Sequence, residues 1–237
     1  TLNNPPTPTL AAGTITNPTT CGGTNGSIAF STTSLPDGNY SLSFTGAGSP
    51  KSITVSANAF TLSGLPAGAY SSFSITNNNC TGNDATAKTL NNPPTPTLAA
   101  GTITNPTTCG GTNGSIAFST TNLPDGNYSV SFAGNGSPKT VTVTTNSFTL
   151  TGLGVGLYSN FTIVNNGCTG TDPSPKTLTN PSSPTLLGGT INIPTTCGGT
   201  NGSIAFTTTN LVNGNYSLTF TGTDTPKTVT VSSNAFI

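Results

Sequence analysis

Apolar residues in this chain fall on every second position, in short runs. Ile28 and Phe30 alternate with Ser27, Ala29 and Ser31; Tyr40, Leu42 and Phe44 alternate with Ser41 and Ser43; Ile53 and Val55 alternate with Ser52 and Thr54. Phe60 with Leu62, and Phe73 with Ile75, carry the pattern on. A period of two gives a strand one inward face, so each run predicts a half-buried β-strand. Between the runs stand Pro36-Asp37-Gly38-Asn39, Gly46-Ala47-Gly48-Ser49-Pro50, Ala57-Asn58 and Pro66-Ala67-Gly68. These residues supply the positive φ and the fixed φ that chain reversals need. Edge strands near 12–16 and 87–91 bring the total to about seven, and no segment shows the apolar spacing of a helix. The expected fold is an all-β, immunoglobulin-like antiparallel sandwich.

The whole pattern then recurs. The stretch that opens at Thr1 returns letter for letter from Thr89 through Thr121, and a looser copy begins at Thr177, a period of 88 residues. The expected domains are therefore 1–88, 89–176 and an incomplete third, 177–237, in a linear array that continues in a longer protein. Asn3–Pro8, Asn91–Pro96 and Asn180–Pro184 are Pro-rich and predict short, semi-rigid extended spacers between the units. Near-identical copies in tandem suit a task that scales with number, such as length or multivalent contact; an enzyme needs unlike groups placed once.

Composition narrows the function further. Charged residues are 4% of the chain, against roughly 25% in an ordinary soluble protein. Five Lys and five Asp cancel, and His, Met and Trp are absent. With no basic stripe and no cationic amphipathic helix, neither nucleic acid nor a membrane surface is an expected partner. No apolar run approaches the length of a membrane span, and the first residues have none of the regions of a signal peptide, so any targeting segment is expected outside this stretch.

Few residues can carry chemistry. Cys21 and Cys80 recur as Cys109 and Cys168, and Cys197 opens a third pair. Without His, without a Cys-x-x-Cys pair and without an activating base, disulfides are expected at all four of Cys21, Cys80, Cys109 and Cys168, and no metal or other cofactor is. The expected pairing lies within a repeat, Cys21 with Cys80. A strand order that sets these two at opposite poles would instead join Cys21 to Cys168 of the next unit. Tyr70 and Tyr158, each just after a Gly turn and entering a strand, match the tyrosine corner of such sandwiches, where the hydroxyl bonds back to the loop backbone.

The remaining polar residues read as structural. Asp37 and Asp125 lie in turns where the third copy has Asn213, so the position needs only an Asx side chain. Asp84 and Asp172 stand alone, and single carboxylates make no calcium clamp. Lys51, Lys139 and Lys227 open strands and are expected to guard sheet edges against aggregation. The Asn-Gly-Ser triplets at Asn25, Asn113 and Asn201 read as turns, and the Thr140–Thr144 alternation as strand filling, with a hydroxyl surface for ice or glycan as the sharper reading.

The succession TNPTTCGGTNGSIAF, LPDGNYSLSF and GLPAGAYSSFSITNNNCTG resembles the tandem immunoglobulin-like repeats of very large cell-surface adhesins of Bacteroidota, the gliding-motility adhesins among them. The resemblance covers the whole chain and rests on structural motifs. It implies an exported surface filament or stalk delivered by that phylum's own secretion route. The expected function is thus a non-catalytic, extracellular stalk segment that projects a distal tip, its partners further copies of the repeat and neighbouring filament chains. The alternatives are a binding module whose repeats each hold a weak site for glycan, ice or another surface, and an array attached to an enzyme domain elsewhere in the protein.

Overall fold

The computed structural model describes residues 5–222 and 225–237. Residues 3 and 4 of the expected Asn3–Pro8 spacer lie outside them. The described residues form strands and loops only, in two compact units: residues 5–105 with 112–178, and residues 106–111 with 179–222 and 225–237.

The first unit holds two sandwiches. In the first, β1 (Thr9–Thr16), β2 (Gly26–Thr33) and β5 (Ala59–Leu65) make one antiparallel sheet in the order β1-β2-β5. The facing sheet runs β4-β3-β6-β7, from β3 (Gly38–Thr45), β4 (Lys51–Val55), β6 (Gly68–Asn77) and β7 (Cys80–Asp84). A last strand, β8 (Lys88–Leu90), pairs with the start of β6, where Gly68 faces Leu90. Every run with alternating apolar residues is a strand. β7 had no such signal, because Cys-Thr-Gly-Asn-Asp is poor in strand formers. It forms because Phe73–Asn77 of β6 offers it an open edge to pair with.

Alternation decides which side chains face inward, and the apposition of the two sheets decides which of them meet. Phe30 stacks on Phe60 at 4.7 Å between ring centroids and meets Phe73 of the facing sheet edge-on at 4.9 Å. Ile28, Leu42, Leu62, Leu65, Tyr70 and Ile75 are among the side chains that fill out the core. Such aromatic contacts contribute about 0.5–1.5 kcal/mol beyond the area they bury. The β4 and β5 edges are clasped by Lys51, whose Nζ donates to the carbonyls of Ser63 and Gly64 at 2.9 and 2.8 Å. The lysine expected to guard an edge also ties the two sheets together.

The second sandwich repeats this arrangement with β9 (Thr97–Thr104), β10 (Gly114–Thr121), β11 (Gly126–Ala133), β12 (Lys139–Val143), β13 (Ser147–Leu153), β14 (Gly156–Asn165), β15 (Cys168–Asp172) and β16 (Lys176–Leu178). Its sheets are β13-β10-β9 and β12-β11-β14-β15, with β16 on β14. Phe118 stacks on Phe148 and meets Phe161 at 4.8 and 4.9 Å.

The second unit carries β17 (Thr185–Asn192), β18 (Ser203–Thr209), β19 (Gly214–Leu218), β20 (Lys227–Val231) and β21 (Ala235–Phe236). These pair as β17-β18-β21 and β19-β20. They correspond to the first five strands of a sandwich.

One expectation is corrected. Cys21 does not pair with Cys80. Cys21 follows the end of β1, whereas β7, which opens with Cys80, begins beside the residues that lead into β1: the Cys80 sulfur lies 3.5 Å from the Pro5 carbonyl, and a Cβ on Gly82 would touch Pro8. A strand the length of β1 spans roughly 26 Å, far beyond the Cα separation a disulfide tolerates. Cys21 is bonded instead to Cys168, and Cys80, Cys109 and Cys197 are free thiols.

Candidate functional site

The bridge lies at the junction between the first two sandwiches, and local sequence shapes both of its halves. The connection from β1 to β2 is a loop clasped at its base: Thr19 N–H donates to Asn25 Oδ1 at 3.0 Å, and Asn25 Nδ2 donates to Thr19 Oγ1 at 2.8 Å. At its tip Gly23 N–H reaches the Thr20 carbonyl at 2.9 Å, and Gly22 takes a φ of 71°. That left-handed φ suits Gly because it has no Cβ. Cys21 therefore stands at the outermost point of a closed turn. Asn25, a turn residue in sequence terms, is the clasp.

The receiving half is the tight hairpin between β14 and β15. Asn166 and Gly167 have φ of 48° and 72°, the pair of positive values that a two-residue hairpin turn requires. Asn166 offers its carbonyl outward and accepts a hydrogen bond from Cys21 N–H at 2.8 Å. Beside it the Cys21 and Cys168 Cα atoms are 5.0 Å apart across the disulfide. A Cβ on Gly167 would come within 3.2 Å of the Cys21 carbonyl oxygen, so the close approach favours glycine.

The spacer completes the joint. Asn91 N–H donates to Asn17 Oδ1 at 2.9 Å, and Asn92 Oδ1 accepts from Gly22 N–H at 3.3 Å. Both bridge sulfurs lie over the Pro93 carbonyl, with Sγ–O distances of 3.8 Å for Cys21 and 3.3 Å for Cys168. Asn91–Pro96 lies between strands β8 and β9 and is pinned to the sandwich before it. The joint is covalently bolted, hydrogen-bonded and braced by proline.

Each sandwich entrance has a carboxylate brace as well. β1 shifts register against β2 between Ala12 and Ile15, and Asp84 Oδ2 accepts the Ala12 N–H at 2.5 Å while Oδ1 accepts the Thr86 N–H at 2.7 Å. Asp172 does the same for Ala100 at 2.6 Å and Ser174 at 2.8 Å. Burial works against ionisation of both carboxyls, but the hydrogen bonds, with Lys88 and Lys176 nearby, outweigh it and hold both below the usual carboxylate range. These aspartates satisfy the backbone at an irregular strand pair. Among the described residues no three His, Cys, Asp or Glu side chains gather into a metal site.

The tyrosines are anchored at corners. Tyr70 hydroxyl donates to the Pro66 carbonyl at 2.8 Å, and Tyr158 to Gly154 at 3.0 Å; burial pushes the Tyr70 hydroxyl pKa up. Sequence reasoning missed a second set. Tyr40, Tyr128 and Tyr216 bond back to Pro36, Pro124 and Val212 in the same way. The signal was present, since Leu-Pro-x-Gly-x-Tyr occurs twice in the first copy, at Leu35–Tyr40 and Leu65–Tyr70. Asp37 and Asp125 accept the N–H of Ala57 and of Thr145, and Asn213 accepts that of Ser233 at 3.0 Å. Only an acceptor oxygen is used there, which is why Asn stands in for Asp.

The fold and the joint together define a class, a tandem array of immunoglobulin-like sandwiches. No protein-family model matches the chain, and no curated protein sequence matches it. Among solved structures, the chain is similar to a tetra-tandem repeat from the extending region of a large adhesion protein, at 17% identity and a TM-score of 0.32, over 97% of this chain and 64% of that one. It is also similar to the titin domains Z1Z2 in complex with telethonin, at 15% identity and a TM-score of 0.27, over 73% of this chain and 98% of that one. A marsupial T cell receptor aligns at 12% identity with a TM-score of 0.29, over 84% of this chain and 80% of that one. The chain spans under two thirds of the length of the adhesion-protein structure.

Proposed function

We propose that the chain is a structural segment of an extracellular adhesin or surface filament. Its 88-residue copies, 1–88 and 89–176, and the incomplete third, 177–237, act as successive units that carry a distal tip and catalyse nothing. The observation that supports this most is the joint itself. Cys21 and Cys168 lie 147 residues apart in sequence and bond across consecutive sandwiches, so the bridge restrains one unit against the next. A rod that must keep its reach needs that restraint. A disulfide in this role also suits an oxidising, extracytoplasmic space. Aromatic side chains favour the stalk over a glycan-binding module, because Phe30, Phe44, Tyr70 and Phe73 and their second-copy counterparts are buried and form no stacking platform. The residues that resemble gliding-motility adhesin repeats fit the same role and support a bacterial surface as the site of the parent protein.

The test is length against number. Chains with increasing numbers of complete copies should lengthen in solution scattering or electron microscopy by one constant step, roughly 26 Å of strand plus about 3 Å per extended spacer residue. Surface attachment by these fragments should not depend on copy number. A steep rise of binding with each copy would overturn the stalk in favour of repeat-borne binding sites.

A further inference from the structure

The two halves of the Cys21–Cys168 joint recur one or two periods away, each preformed and each unbridged. The receiving half recurs at Cys80. The hairpin before it, Asn78-Asn79, takes the same pair of positive φ values, 46° and 63°, as Asn166-Gly167. The Cys80 sulfur lies 3.5 Å from the Pro5 carbonyl, as the Cys168 sulfur lies 3.3 Å from Pro93, and Pro5 and Pro93 are one period apart. Cys168 is 2% exposed beneath the Cys21 loop, whereas Cys80, lacking such a cover, is only half-buried.

The inserting half recurs twice. At Cys109, Gly110 has a φ of 70°, Gly111 N–H reaches the Thr108 carbonyl at 2.9 Å, and Gly110 N–H donates to Asn180 Oδ1 at 3.1 Å. These match Gly22, Gly23 and Asn92 around Cys21. At Cys197 the same turn is built from Gly198 at a φ of 70° and Gly199 N–H on Thr196, and is clasped by Asn201 on Thr195. Both thiols are exposed. A loop that keeps its bridged shape without its bridge presents its thiol to a partner at little ordering cost.

We propose that Cys80, Cys109 and Cys197 are half-sites of one repeating bolt, each completed by a cysteine of the neighbouring copy of this repeat. The early cysteine of each copy bonds the late cysteine of the copy after it, so Cys80 is the acceptor for a preceding copy and Cys109 the donor to a following one. The inference rests on the stalk reading, and turns its array into a covalently continuous one in which every joint carries the same link. Each bond forms by loss of two thiol protons and two electrons. A small-molecule disulfide such as oxidised glutathione takes them up: one thiolate attacks it and releases a glutathione, then the second thiolate attacks the mixed disulfide and releases the other.

The decisive experiment appends residues 150–178 of this sequence after Ile237, which completes the third copy, and folds the chain in a reduced and oxidised glutathione buffer. Peptide mapping should find Cys109 bonded to the appended copy of Cys168, with thiol labelling lost at Cys109 and retained at Cys80 and Cys197. A bond from the appended cysteine to Cys197, inside its own copy, or a persistent thiol at Cys109, would overturn the proposal. A second arm needs no added segment. The 237-residue chain carrying Cys109→Ser, oxidised at high concentration, should form dimers joined Cys197 to Cys80. Like-with-like bonds, Cys80 to Cys80 and Cys197 to Cys197 in statistical proportion, or no dimer, would overturn it. Failure of the bolt leaves length per copy unchanged as a measurement, so the stalk reading is judged separately.

Discussion

The second sandwich and the third copy are written with almost the same strands, yet they bury them very differently. Leu98 is 7% exposed and its counterpart Leu186 is 50% exposed; Phe132 is 8% exposed and Phe220 is 42% exposed. The inward faces are the same in both. What differs is the cover: the second sandwich has β14, β15 and β16, which bring Tyr158, Phe161, Ile163 and Leu178 into its core, and these 237 residues hold no third set. In the third copy the uncovered face is an open groove of about 520 Å³, walled by Ile191, Ile204, Phe206, Leu218 and Val229. Alternation chooses a face, and only a complete second sheet makes that face a closed core.

The comparison is sharpened first by the aromatic pair at its centre. Phe118→Ala should cost the second sandwich about 3–5 kcal/mol, since its ring is packed on both sheets. Phe206→Ala, which leaves Phe236 with no stacking partner but empties no closed core, should cost far less. Denaturant titration of the two variants measures both, and equal losses would show that the third copy is as well packed as the second. Next comes the corner. Tyr158→Phe should cost about 0.5–1.5 kcal/mol, because the Gly154 carbonyl loses its partner at a part-buried site. Tyr216→Phe, at an exposed corner, should move the transition little.

Acid separates the regions in a different way. Asp84 and Asp172 have carboxyl pKa values below their ordinary value in the folded protein. The unfolded chain therefore takes up protons first, and the stability these groups supply is complete above the unfolded value near pH 4 and is lost as pH falls through the folded one. Thermal unfolding across that window should show the first unit weakening, and Asp172→Asn should flatten the pH dependence of the second sandwich. A stability that rises on acidification would reverse the assignment of these groups. The smallest effect is expected at the turn: Asp125→Asn should change stability by less than about 0.5 kcal/mol, because Asn213 already makes the same bond with an amide oxygen. A large loss would mean that Asp125 carries a charge-dependent role.

Much of this molecule is legible in the order of its residues. The period of two in Ile28-Ala29-Phe30 or Leu42-Ser43-Phe44 sets both the strand and its buried face, because side chains alternate across a pleat whatever lies beyond them. Gly and Asn at reversals, and Tyr after Leu-Pro-x-Gly, are equally local, since their conformations and bonds are made within a few residues. β7 is the opposite case: little in Cys80–Asp84 favours a strand, and the open edge of β6 induces one. The joint is decided at the longest range. Its cysteines are plain in the sequence, but their pairing depends on which pole of the sandwich each occupies, and that follows from how eight strands are ordered in two sheets. A bond that forms only across 5.0 Å between Cα atoms is fixed by geometry, so tertiary structure alone could turn Cys21 away from Cys80 and towards Cys168.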